Sequence, residues 1–340
     1  MDRIGTSKAT LPKAMAFGIL ACFMLGACST MKVPVPVMRP AEINLKGKNE
    51  IIFGQIQGRG GEKIAAYVKD KTADTGRLKI VDRQHLNQVL SELRMSQSDL
   101  VNIEKRKKLG KLMAGSILVM GKVLDNNYKE DLTRDSGTCY KTVNKKQTEY
   151  TCYHYKRKGA AIMKVSFDVI DIETGENLRS KVSQCIQRAQ KSATDQMPER
   201  IDGNALLDTC AQSVANDFLK AICPWQQIVS AAFHKDGDLP MLEIGINYAK
   251  SGLWTDALAQ FKEAVQQADS NPKISPKTAA KAYWDLGLCC EYTNRFDESV
   301  AYVKKAYVLS SDAEYLKELA NIEKMKKDRK RLEEQLSYNR

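Results

Sequence analysis

Histidine is scarce in this chain: His85, His154 and His234 are the only three among 340 residues, and they lie far apart. None of the nine cysteines forms a Cys-x-x-Cys pair. Together these absences argue against a zinc site, and neither a metal nor a cofactor is expected. Gly-x-Ser-x-Gly, His-Glu-x-x-His and the phosphate-cradling P-loop are also missing, so a hydrolase reading has no residues to stand on. The chain is expected not to be an enzyme. Beyond residue 27 no apolar run approaches the ~20 residues that a membrane-spanning helix needs.

What is present begins with an export signal over 1–27. Arg3, Lys8 and Lys13 form a positive opening, and Ala14 to Leu25 then runs twelve residues without a charge. That length suits a signal's apolar region and is too short to cross a bilayer. The run ends in Leu25-Gly26-Ala27-Cys28, which closely resembles the lipobox of bacterial lipoproteins. The resemblance implies acylation of Cys28 and cleavage before it, with two or more acyl chains holding the protein on a membrane. Ser29 follows where an Asp would favour inner-membrane retention, so the expected place is the outer membrane, periplasmic side. Pro34, Pro36 and Pro40 then make residues 28–49 read as an extended Pro-rich tether, reaching up to ~60 Å at ~3 Å per residue.

Loss of the signal's three bases and one acid lowers the net charge from +12 to +10. That surplus suits anionic lipid, peptidoglycan carboxylates or an acidic partner. Export argues against a nucleic-acid ligand, and none is expected.

Residues 50–224 read as an α/β domain. Ile51 to Ile56 is a strand, Ile64 and Val68 sit on a helix, and Leu78 to Val81 is a short strand. Asp82 caps a helix with apolar positions Leu86, Val89, Leu90 and Leu93, and Ser116 to Leu124 is a core strand. From Ile162 to Ile170 the pattern alternates, with Met163, Val165, Phe167 and Val169 on one face, and Glu173-Thr174-Gly175-Glu176 turns the chain back. Alternating helices and strands followed by antiparallel strands imply a mixed sheet with crossover helices.

Three stretches in this order resemble the curli secretion lipoprotein (CsgG) family: Ile80-Val81-Asp82-Arg83 with Leu86, Val89, Leu90 and Leu93; Leu109-Gly110-Lys111-Leu112-Met113-Ala114-Gly115-Ser116 through Gly121; and Asp171-x-x-Thr174-Gly175-Glu176. The resemblance implies a non-catalytic envelope domain that assembles or docks onto partners, with homo-oligomers possible. Members insert two hairpins into the membrane as a pore. Here the corresponding segments are highly charged: 14 of 37 residues over 122–158 and 7 of 23 over 179–201, with Pro198 interrupting the second. Neither offers the apolar alternation of 9–11 residues that a lipid-facing strand needs. A self-sufficient channel is therefore not expected.

Cys139 and Cys152 are equidistant from Lys145-Lys146, so a hairpin turning there would set them opposite each other for a disulfide. Cys185, Cys210 and Cys223 leave room for a second bridge, Cys185 with either Cys210 or Cys223.

Residues 225–338 carry an internal repeat. Met241-x-x-Ile244-Gly245-x-x-Tyr248 with Ala257-x-x-x-Phe261-x-x-Ala264 recurs as Tyr283-x-x-Leu286-Gly287-x-x-Cys290 with Ser299-x-x-x-Val303-x-x-Ala306. This resembles the tetratricopeptide repeat (TPR), at an offset of 42 residues that an enlarged loop over 270–277 would absorb. The resemblance implies an all-α module whose concave face, lined by Leu242, Ile246, Trp284, Leu288 and Glu291, either binds other envelope proteins or packs on the first domain. A basic helix from Asp312 to Leu336 closes the chain, as a contact for an acidic partner or as a solvated cap.

Overall fold

The computed structural model describes residues 30–337; the export signal and Cys28 lie outside the described residues. The α/β region is one five-stranded sheet. Strand β2 (Glu50–Gln57) leads into helix α1 (Gly61–Thr75), short strand β3 (Lys79–Ile80), helix α2 (Arg83–Glu92) and helix α3 (Ile103–Leu112). Next come β4 (Ser116–Val143), β5 (Lys146–Asp171), β6 (Asn177–Thr194) and helix α4 (Gly203–Ile222). The sheet order is β3-β2-β4-β5-β6, parallel where helices cross over and antiparallel from β4 onward. Asp82 caps α2 by accepting from the Gln84 amide.

Both faces of the sheet's base are covered. Met163, Val165, Phe167 and Val169 pack with Ile64 and Val68 of α1 and with Val214 and Phe218 of α4; the Phe167 and Phe218 rings stack at 4.2 Å. Ile52, Leu118 and Ile170 meet Leu86 and Leu109 on the opposite face.

Residues 30–39, expected within a free tether, are instead strand β1 (Thr30–Arg39), antiparallel to β7 (Trp225–His234) from Thr30↔His234 to Arg39↔Trp225. The prolines are tolerated because β1 has a partner on one edge only, where alternate positions have no ladder bond to lose. Burial of Val33 and Val35 with Ala231 and Phe233 holds the ribbon in the helical core.

That core is built on two helix pairs, α5 (Met241–Lys250) with α6 (Trp254–Ser270) and α7 (Pro276–Tyr292) with α8 (Phe296–Ser310), followed by α9 (Ala313–Leu336). A Cβ on Gly245 would lie 2.6 Å from the Phe261 ring, and one on Gly287 would lie 2.7 Å from Val303, so glycine is what lets each pair close. The extra repeat length lengthens α6 and α7, 17 residues each, and only 271–275 remain as a loop between them.

α9 is more than a cap. Arg331 donates to the Ala41 carbonyl at 3.0 Å, Asp328 pairs with Arg39 at 3.0 Å, and the Gln335 carbonyl accepts from Arg77 at 3.1 Å. The helix therefore straps the helical module to the first turn of chain leading into the α/β sheet.

Candidate functional site

β4 and β5 extend far beyond the layered core. Pairing of β4 with β2 ends at Lys122, while its pairing with β5 continues to Val143↔Lys146. β6 joins on the far side of β5 as far as His154↔Thr194. The result is an arm, three strands wide at its root and two at its tip, reaching about 70 Å from Lys122 by strand rise. The second segment read as a hairpin is thus a single strand, and residues 195–202 return to α4 without one.

Asn144 and Lys145 form the turn, both left-handed at φ 48° and 62°, as a two-residue type I′ loop requires. This is one residue earlier than the Lys145-Lys146 turn expected from symmetry. Cys139 consequently faces Tyr150 and Cys152 faces Gly137, so the cysteines are diagonal neighbours instead of opposite ones. They are nevertheless joined as a disulfide across a Cα separation of 5.6 Å. His154 Nε2 lies 3.5 Å from Cys152 Sγ, and the ligand atoms of Cys139, Cys152 and His154 fall within 4.8 Å of one another. With the sulfurs bonded to each other, the cluster offers an imidazole but no thiolate to a metal.

Polar groups fix the arm's root and its third strand. Glu130 accepts from Tyr128, from the Ile201 amide at 3.0 Å and from Arg157 at 2.5 Å. The Tyr128 hydrogen bond, followed by that of Ile201, holds the Glu130 carboxyl below its usual range. Burial first, then Glu130, pushes the Tyr128 hydroxyl up to about 12. Farther out, Asp195 accepts from the Tyr153 amide at 2.8 Å and the Tyr150 hydroxyl at 3.0 Å, ending β6 against β5.

Exposed apolar side chains gather on these strands: Leu132, Tyr140, Val143, Tyr153, Val182 and Ile186 are each at least 40% exposed. The sequence reading passed over Val182 and Ile186. Their spacing, with Leu178, was the available signal, since positions of one parity share a strand face.

The expected groove is closed. Leu242, Ile246, Trp284, Leu288 and Glu291 are all at most 2% exposed. The β1–β7 ribbon and α9 fill the concave side: Trp284 Nε1 donates to the Ala232 carbonyl at 2.9 Å, its ring stacks on Tyr315 at 4.5 Å, and Phe233 stacks on Phe261 at 5.5 Å. Neither use expected for that face is the one present: it packs against the opening strand, β7 and α9 instead of an outside protein or the α/β sheet. Burial, with the neighbouring Glu318 carboxyl, pushes Glu291 up to about 9.

No second bridge forms, because Cys185, Cys210 and Cys223 are buried free thiols. Cys185 and Cys210 hydrogen-bond across the β6–α4 contact, and burial first raises the Cys210 thiol to about 12. Cys223 is placed apart, beside Thr75 at 3.8 Å.

Residues 34–198 match the family model of the curli production assembly/transport component CsgG. The chain carries a CsgG domain. The match takes in the whole sheet and the arm, and with the export signal and lipobox it makes this protein an envelope lipoprotein. Among the described residues no helix is long and apolar enough to cross a membrane. Solved structures similar to this chain include the LpoB C-terminal domain from Salmonella enterica, at 11% identity over 41% of this chain and 83% of that one, TM-score 0.26. Lipoprotein GNA1162 from Neisseria meningitidis aligns at 10% identity over 50% and 97%, TM-score 0.27. A PelC dodecamer from Paraburkholderia phytofirmans aligns at 13% identity over 56% and 97%, TM-score 0.24. No curated protein matches the chain.

Proposed function

We propose that this CsgG-domain lipoprotein is a non-catalytic assembly or docking factor, anchored through Cys28 to the periplasmic side of the outer membrane, and that the arm is where it meets other envelope proteins. The observation that carries this reading is the pair of long open edges. Beyond Lys122 β4 is paired only with β5, and β6 is paired only with β5, while apolar side chains stand exposed along both. Unpaired strand edges offer rows of N–H and C=O groups to an incoming strand, and exposed Val, Ile and Tyr reward its side chains. The TPR-like repeats act in this reading as the arm's support, since their concave face is filled from within.

A second reading, a component of a CsgG-type channel exporting fibre or polymer, is favoured by the same edges, which suit pairing with another copy. The charge along the arm opposes lipid contact, so another subunit would have to supply the membrane strands.

A photoreactive side chain placed at Val182, Ile186 or Tyr153 in intact envelopes separates the two. Adducts with a different envelope protein support docking, and adducts with a second copy support the channel. If the arm positions give no more adduct than a control at Lys304 in α8, neither reading stands.

A further inference from the structure

Strand β1 begins two residues after Cys28, and this leaves the anchor no slack. Two residues span at most about 7 Å, so a lipid-modified Cys28 brings Thr30 to the level of the lipid head groups. Thr30 belongs to the helical module: it pairs with His234, and the next residue, Met31, packs into that module's core. From Thr30 the strand runs about 30 Å to Arg39, beyond which the linker docks on the end of α4, where Ile43 donates to the Ala221 carbonyl at 2.9 Å. The CsgG sheet is thus attached at the far end of the ribbon from the anchor.

Around the Thr30 end the surface has the composition of a membrane interface. Lys250 Nζ lies 3.9 Å from the Met31 sulfur, at the end of α5. Beside it, Leu253 donates its amide to the Tyr248 carbonyl at 2.9 Å, and Ile244 stands one turn earlier on the same helix face. Ile244, Tyr248 and Leu253 are 45%, 36% and 49% exposed. Lys32 projects from the ribbon's outward side, two positions from Thr30. Exposed apolar groups and a tyrosine, with a lysine closing the same helix, suit the boundary between acyl chains and phosphates: the lysine stem covers apolar surface, and its head meets the anionic groups.

We infer that this face of α5 and the α5–α6 turn lies on the phospholipid bilayer that holds the anchor. The helical module is then the membrane-facing part, and the CsgG sheet with its arm is held away from the surface. The inference rests on the lipid-anchor reading, and its occupant is that bilayer.

The test uses the acylated full chain added to preformed phosphatidylethanolamine–phosphatidylglycerol vesicles, with Leu253→Cys as reporter and Lys111→Cys on α3 as a distal control. The other free thiols among the described residues are buried, so a membrane-impermeant maleimide reads the introduced ones. Leu253→Cys is expected to react several-fold more slowly on vesicles than the same reporter in an unanchored Cys28→Ser chain, with Lys111→Cys unchanged between the two. If the acylated chain floats with the vesicles and Leu253→Cys still reacts at the unanchored rate, this surface is not at the membrane and the anchor reading survives. A chain that takes up no lipid and does not float removes both.

Discussion

Gln335, in the last turn of α9, hydrogen-bonds the backbone of Ala41 in both directions: the Ala41 amide donates to its Oε1 at 2.9 Å, and its Nε2 donates to the Ala41 carbonyl at 3.0 Å. Both residues are 1% exposed, so the two backbone groups have no water to fall back on. Replacing Gln335 with Ala leaves the buried Ala41 amide without a partner, while its carbonyl keeps the Arg331 guanidinium. Urea unfolding is expected to show a loss of about 2 kcal/mol, within the usual cost of orphaned buried groups. An unchanged midpoint would mean that the strap does not stabilise the junction.

The Cys139–Cys152 bridge lies in the arm, away from the packed base. A loop of about 15 residues is worth ~3 kcal/mol in the chain-entropy account, and here that stabilisation is local. Cys139→Ser with Cys152→Ser is expected to speed proteolysis and hydrogen exchange around Tyr140 and Tyr150. The cooperative melting of the Phe167–Phe218 core should stay where it is. A fall in that transition would show that the arm and base unfold together.

Glu291 gives the helical module a pH dependence of definite sign. Burial, then Glu318, raises its folded pKa to about 9, from an ordinary value near 4.5. A carboxyl raised on folding stabilises fully below its unfolded pKa, and the contribution is lost as pH rises toward the folded one. Thermal stability is therefore expected to fall between pH 5 and pH 9, within the window those two values set. Its Oε2 has no partner, so Glu291→Gln, which mimics the neutral acid, should flatten the profile and raise the melting temperature at the alkaline end. A variant with the same slope as the parent would remove Glu291 as the cause.

Gly245→Ala tests the close approach of α5 and α6. Its Cβ would sit 2.6 Å from the Phe261 ring, which is itself stacked on Phe233. Overpacking of this kind costs about 1–3 kcal/mol. Chemical denaturation should register it, with far-UV helicity retained; a neutral result would mean that the ring can move aside.

What the sequence disclosed followed from local rules. Met163, Val165, Phe167 and Val169 alternate because one face of β5 is covered, Asp82 caps because its carboxylate reaches the Gln84 amide, and Gly245 is small because Phe261 needs the room. What it concealed depended on partners far along the chain. Pro34 and Pro36 argue against a strand until Ser230 and Ile228 are known to lie opposite them. Leu242 and Trp284 occupy positions that would be open in a bare repeat, and the ribbon and α9 cover them. The displaced hairpin turn was a smaller miss. Asn144 satisfies the preference of a type I′ loop for Asn at its first position, a signal that the symmetry of the cysteines does not carry.

The ribbon in the helical trough also settles what can be moved as a unit. Residues 241–337 do not make a portable cartridge, because a length of their interior is supplied from some two hundred positions upstream, by Val33 and Val35. A graft cut at Met241 would carry an oily slot with nothing in it, whereas one that also brings 30–39 and 225–234 would arrive whole. During synthesis the opening strand must likewise wait, unpaired, until the chain has grown past His234.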